Sequence, residues 1–190
     1  MRLRLIVPYA LFHKVIIIRW LTYYTRLHKH TMAFHSETHV EQRIRELIAQ
    51  HVTARHPNIY ALRNKKAVDI LICKDGSPPE LFFIEVKYHK ANHGRLGFGS
   101  SKGDGFQPEI LTKNPQYFEK NLRWALASER YNPEKVLFLH SSELKKYIAG
   151  GEIGEKFNNI QERIFREQPW FTEEEFTKEL QLWLGGAGEA

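Results

Sequence analysis

Residues 68–88 read VDILICKDGSPPELFFIEVKY, and this stretch decides the fold. VDILIC and LFFIEVKY are short runs rich in β-branched and aromatic residues, the composition of strands. Between them, Asp75-Gly76 and Pro78-Pro79 supply the chemistry of a turn, so the two runs are expected to fold back as a hairpin. Side chains alternate along a strand, which puts Glu85 and Lys87 on one face and Ile84 and Val86 on the other, in the core. Asp69 stands at the start of the first run and can approach Glu85 once the hairpin pairs.

Acids inside apolar strands need a reason. Burying a carboxylate costs on the order of several kcal/mol unless it is paired or bound to a cation. Two carboxylates side by side repel, and a hard divalent cation such as Mg²⁺ removes that repulsion. Lys87 beside them can neutralise charge, orient a water or meet a phosphate. The set suits metal-assisted hydrolysis of a phosphodiester. The competing expectation is a half-buried salt-bridge network at a sheet edge. An acid-x-Lys triplet alone carries little: Glu143-Leu144-Lys145 is a second one, at the start of an expected helix, where it is surface charge.

Outward from the hairpin, the segment SETHVEQRIRELIAQHV predicts an amphipathic helix from 36 to about 53, with Val40, Ile44, Leu47 and Ile48 at helical spacing. Thr38 and Glu41 fit a capping box at its start. IYALRN reads as a strand ahead of the hairpin. After it, residues 89–105 are glycine-rich and aperiodic, a loop. PQYFEKNLRWALASE places Tyr117, Phe118, Leu122, Trp124, Ala125 and Leu126 along one further helix. KVLFLHSS reads as a buried strand. The remainder is expected to be helical, with Thr172 as the N-cap of TEEEFTKELQLWL and a frayed tail over 185–190. The order is helix, three strands, helix, strand, then helices: an α/β core with a mixed sheet.

Composition bounds what this fold can be. With 42% hydrophobic and 26% charged residues, the 190-residue chain has the make-up of one globular domain rather than of a disordered one. Residues 1–31 carry six of the 28 basic residues and no acid, so the other 22 balance all 22 acids and the body is formally neutral. The net charge of +6 therefore gives no support for nucleic-acid binding by the folded part. That basic, aromatic extension is broken by His13, Lys14 and Arg19, so it does not offer the roughly 20 apolar residues of a membrane span. Three readings stay open for it: sequence upstream of a true start at Met32, an amphipathic element packing on the fold, or a targeting segment. Residues 32–184 form the expected single domain. The lone Cys73 cannot make an internal disulfide; it reads as a small buried hydrophobe, and one cysteine fits a reducing, cytoplasmic setting.

Asp69, fifteen residues, then Glu85-Val86-Lys87 resembles the signature of the PD-(D/E)XK nuclease superfamily, whose restriction endonuclease-like core runs αβββαβ. The element order over 36–142 follows it, more than half of the chain. The resemblance implies that Asp69, Glu85 and the backbone carbonyl of Val86 bind Mg²⁺, with Mn²⁺ as a substitute, and that Lys87 assists the attacking water. Members often add a helical acid ahead of the sheet. Glu41 is the candidate here, unless it serves only its capping box. The family's proline before the aspartate is Val68 in this chain.

The long glycine-rich loop leaving the catalytic strand is similar to the recognition insertions of type II restriction endonucleases. The implied activity is Mg²⁺-dependent hydrolysis of DNA by such an enzyme, as a homodimer where its site is palindromic. Repair or junction-resolving nucleases of the same fold, or a non-catalytic nucleic-acid-binding module, are the alternatives. Arg63, Lys65 and Lys66 before the Asp69 strand, and Lys90, Arg95, Lys102 and Gln107 after Lys87, are the candidate DNA contacts. His89 and His93 have ligand-like spacing only in a helix and are not assigned as ligands. No stable membrane association is expected.

Overall fold

The computed structural model describes residues 33–63, 68–92, 96–97, 115–149 and 159–185. The N-terminal extension, most of the glycine-rich loop and residues 186–190 lie outside the described residues. Helix α1 (Glu37–Leu47) continues as a π-helical stretch over Ile48–Thr53. Its N-cap is Ser36, whose hydroxyl accepts the His39 N–H at 3.2 Å, so the expected Thr38–Glu41 capping box does not form. That correction frees Glu41, one turn further on, for other partners.

Strands β1 (Ile59–Arg63), β2 (Ile70–Lys74) and β3 (Glu80–His89) form an antiparallel meander, in which the hairpin pairs as the turn residues predict. Of the glycine-rich segment, Leu96–Gly97 is described as a short strand, β4. Helix α2 (Pro115–Asn121) is followed directly by β5 (Leu122–Ser128), which corrects the single helix expected across LRWALASE. The physical reason lies in burial: all seven residues of β5 are buried, and a strand covered on both faces loses the apolar-polar alternation that separates it from a buried helix. Strand β6 (Leu137–His140) is the expected buried strand of KVLFLHSS.

The five strands β1, β2, β3, β5 and β6 lie in that order in one sheet. Every pairing is antiparallel except β3 with β5, so the sheet is mixed. After α3 (Ser141–Lys145) the expected all-helical remainder is also interrupted: β7 (Ile148–Ala149) and β8 (Asn159–Ile160) pair, and β8 pairs with β4 in a second small sheet. Helices α4 (Ile164–Glu167) and α5 (Glu173–Gly185) close the described chain. Thr172 caps α5 as expected, its hydroxyl accepting the Glu175 N–H while Glu175 accepts the Thr172 N–H at 2.8 Å.

Each face of the main sheet has its own core. On one, Ile70, Ile72, Ile84, Val86, Ala125 and Ala127 meet Val40 and Ile44 of α1 and Phe176, Leu180 and Leu184 of α5. On the other, Leu122, Trp124, Leu126, Leu137 and Leu139 meet Leu144, Tyr147, Ile160, Ile164 and Phe165. Each fully buried Leu or Ile contributes about 1.5–3 kcal/mol relative to exposure, so both layers are strong enough to hold the sheet rigid between them. Cys73 is only partly covered on β2, not the fully buried residue expected. No helix of the described residues is long and apolar enough to cross a membrane.

Candidate functional site

The site lies where β2 and β3 part. Their ladder ends at Ile70 opposite Ile84. Continued by two more residues it would set Asp69 opposite Glu85 and Val68 opposite Val86, but Asp69 has already left the strand, and its side chain takes over the pairing. Asp69 Oδ2 accepts the Val86 N–H at 2.7 Å. Amides two residues apart point to the same edge of a strand, and the next one along this edge, Tyr88 N–H, is accepted by Glu37 Oε2 at 3.3 Å. Thus two acids stand in for the missing strand, held by donors that a regular ladder would have consumed.

Helix α1 supplies the rest of the acids. Glu37 is its first residue and Glu41 follows one turn later on the same side. One carboxylate oxygen from each of Glu37, Glu41 and Asp69 lies within 4.8 Å of the other two. Arg45, a further turn on, ties helix to turn: its Nη1 meets Glu41 Oε2 at 3.3 Å and donates to the Asp69 carbonyl at 3.4 Å.

Glu85 and Lys87 share the sheet face of Trp124 and Leu126, their register partners on β5. Both are buried, at 4% and 9% exposure, where a lone charge would be costly. Lys87 Nζ lies 3.0 Å from Glu85 Oε1, 3.6 Å from Glu37 Oε1 and 3.7 Å from Asp69 Oδ2. It also donates to the Val86 carbonyl at 2.8 Å. Glu85 Oε2 has no hydrogen-bond partner among the described residues.

The electrostatics follow from this crowding. Burial, then the repulsion of Asp69 and Glu37, pushes the Glu85 carboxyl up to about 7 against the pull of Lys87. Burial works to lower the Lys87 ammonium, but Glu85, Asp69 and Glu37 outweigh it and hold it above the usual lysine range. Glu41 is raised by burial and by Asp69, with Arg45 opposing. Fully ionised, the four carboxylates and the two cations Lys87 and Arg45 would leave two negative charges uncompensated. A set of hard oxygens with that charge, one of them buried without a partner, fits a hard divalent cation.

The structure therefore brings Asp69, Glu85, Lys87 and Glu41 together, with the Val86 carbonyl among them. Sequence reading missed Glu37. The signal was present, since Glu37 and Glu41 are four apart, but Ser36 had to be the cap for both to face the sheet. Of the candidate DNA contacts, Lys90 is exposed just beyond β3, and Arg63 ends β1. Lys65, Lys66, Arg95, Lys102 and Gln107 lie outside the described residues. His89 is a core histidine: it is buried, with Nδ1 2.9 Å from Ser128 Oγ and its ring stacked on Phe165. Glu143 of the second acid-x-Lys triplet only caps α3, accepting His140 N–H at 2.8 Å.

An open cleft of about 780 Å³ lined by Gln116, Glu119, Lys120, Arg123, His140 and Ser142 shares no residue with this cluster. Two of its polar groups are already paired, Glu119 accepting from Ser142 within it and Lys120 with Glu80 outside it. No family model matches this chain, and neither a curated protein nor a solved structure matches it.

Proposed function

We propose that this protein is a divalent-metal-dependent endonuclease that hydrolyses DNA phosphodiester bonds, with a restriction endonuclease-like core. The observation that carries the reading is the convergence of Glu37, Glu41 and Asp69 beside the buried Glu85–Lys87 pair, at the point where β2 leaves β3. The order α1, β1, β2, β3, α2, β5 around the main sheet, with the short β4 set apart in the second sheet, supports it. So does the placement of Asp69 just before β2 and of Glu85 on β3, where the two strands part.

Glu37, Glu41, Asp69, Glu85 and the Val86 carbonyl are the groups that would hold Mg²⁺ or Mn²⁺. When bound, the ion would polarise the phosphate and lower the pKa of a coordinated water. The chain's own contribution is positional. Asp69 is fixed by the Val86 amide and Glu37 by the Tyr88 amide, so neither carboxylate has to be ordered at the moment of reaction. Lys87 brings a positive charge to a site where a phosphate gains negative charge. Glu85, with its carboxyl raised to about 7, can hold or release a proton near neutral pH. Tyr88 anchors the strand end by donating its hydroxyl to the Phe34 carbonyl at 3.0 Å.

The test is cleavage of plasmid and phage DNA by the full chain in Mg²⁺, Mn²⁺ or EDTA, beside Lys87→Ala and Asp69→Asn. Discrete fragments that require metal and vanish in both variants are the expected result and identify a sequence-specific, type II-like enzyme. Absence of metal-dependent cleavage on plasmid and on branched DNA alike would leave the cluster as a salt bridge.

A further inference from the structure

Four oxygens surround the Lys87 ammonium. Two are in hydrogen-bond range, the Val86 carbonyl at 2.8 Å and Glu85 Oε1 at 3.0 Å, and two complete the shell, Glu37 Oε1 at 3.6 Å and Asp69 Oδ2 at 3.7 Å. An ammonium carries three hydrogens and no lone pair, so it behaves here as a small cation with oxygen donors around it. The Val86 carbonyl and the Glu85 and Asp69 carboxylates are also the groups that would hold the metal. One set of donors is thus offered to two cations.

Resting on the metal-dependent reading above, we infer that Lys87 is the resident cation of the site and that a divalent ion enters only by displacing its ammonium from Val86 and Glu85. The Glu85 carboxylate is buried and would be strongly destabilised alone. Lys87 compensates it before any metal arrives. Once a divalent ion sits among the same oxygens, it both replaces that compensation and repels the ammonium a few ångströms away. The four-carbon stem of lysine is flexible enough to carry the charge elsewhere without moving β3. Metal loading then does two things at once: it completes the acid cluster and releases an amine to meet the water or phosphate. The contact in the metal-free protein is autoinhibitory, because the amine needed for chemistry is held by the acids needed for the metal.

Mn²⁺ titration by calorimetry separates the possibilities, using the full chain and Lys87→Met, whose side chain keeps length and apolar character without charge. With the competing cation removed, Lys87→Met is expected to bind Mn²⁺ about tenfold or more tightly than wild type. Equal or weaker binding by a folded Lys87→Met protein overturns the inference while leaving the metal reading intact. Binding by neither protein defeats the metal reading and the displacement with it. A second measurement covers a variant that does not fold. In uniformly ¹⁵N-labelled wild type, the Lys87 ammonium signal should move as Mg²⁺ shifts the amides of Glu37 and Val86. An ammonium signal that stays in place while those amides move overturns displacement.

Discussion

The Asp69 carboxylate accepts the backbone N–H of Val86 at 2.7 Å, so one side chain closes a sheet edge and at the same time faces Lys87 at 3.7 Å. The two duties respond differently to substitution. In Asp69→Asn an amide oxygen still accepts from Val86, so the protein should fold with little loss of stability while metal binding and metal-dependent cleavage are lost. Asp69→Ala leaves a Val86 amide without its acceptor and should cost an additional 1–3 kcal/mol or so. Thermal melts and Mn²⁺ calorimetry on the two variants check this. Equal melting temperatures for both would show that the Val86 contact carries no stability.

Glu37 and Glu41 reach the cluster from one helix face, and each is predicted to act on the metal rather than on the fold. Glu37→Gln and Glu41→Gln preserve side-chain volume and should each weaken Mn²⁺ binding by at least about tenfold, the scale on which even outer-shell partners of a metal act. Glu37 is about two-fifths exposed and Glu41 about one-fifth, and neither belongs to either hydrophobic core, so neither change removes core packing. A Glu37→Gln protein that binds Mn²⁺ like wild type would place Glu37 outside the metal set and leave it as an edge cap on Tyr88.

The site was partly legible in the sequence. Asp69, Glu85 and Lys87 could be picked out because an acid in an apolar strand is expensive, and alternation alone puts residues 85 and 87 on one face. Glu41 was legible only as one of two readings, a helical acid of the site or the partner of Thr38 in a capping box, and the cap that forms is Ser36. Glu37 depended on that same choice. The fold was read correctly wherever one face met solvent or a turn residue broke the run, as in the 68–88 hairpin and at Thr172. Reading failed at 122–128, where burial on both sides erased the alternation, and at 148–149 and 159–160. Those two-residue strands exist through pairing with each other and with 96–97, not through any local preference.

The raised carboxyl of Glu85 sets a pH dependence. A proton held there at about 7 must leave before the carboxylate can serve a metal, so apparent Mn²⁺ affinity should fall as pH drops below 7 and level off above it. The stability of the metal-free protein runs the other way. Because folding raises this carboxyl above its ordinary value, its contribution is greatest below about pH 4.5 and is lost as pH rises through about 7. Mn²⁺ titrations at a series of pH values, and urea unfolding in EDTA of wild type and Glu85→Gln, measure the two trends. Equal pH dependence of unfolding in both proteins would show that Glu85 does not titrate in that window.

Arg45 is predicted to matter for the arrangement of the acids without touching the sheet. Its guanidinium joins Glu41 to the Asp69 carbonyl across two elements, with about a fifth of both side chains exposed. Arg45→Met keeps the stem that packs along α1 but drops both polar contacts, at a cost of about 1 kcal/mol. The more informative reading is local: hydrogen exchange at Asp69 and Ile70 should accelerate relative to the centre of β2. Unchanged exchange there would mean that the 68–70 turn is held by Val86 alone.

The packing of α5 against the sheet can be tested within two residues. Leu180 is fully buried beside Val40, Ile44 and Phe176, whereas Leu182 is 61% exposed. Two positions along a helix differ by about 200° in direction, which is why one faces the core and the other water. Leu180→Ala should therefore cost about 2–5 kcal/mol, the transfer loss plus the cavity left beneath a rigid sheet. Leu182→Ala should stay within about 0.5 kcal/mol. Urea midpoints of the two variants decide it: similar losses would mean that α5 is rotated from the orientation described. The same core holds Val40 and Ile44, so the helix bearing Glu37 and Glu41 would then need to be repositioned too.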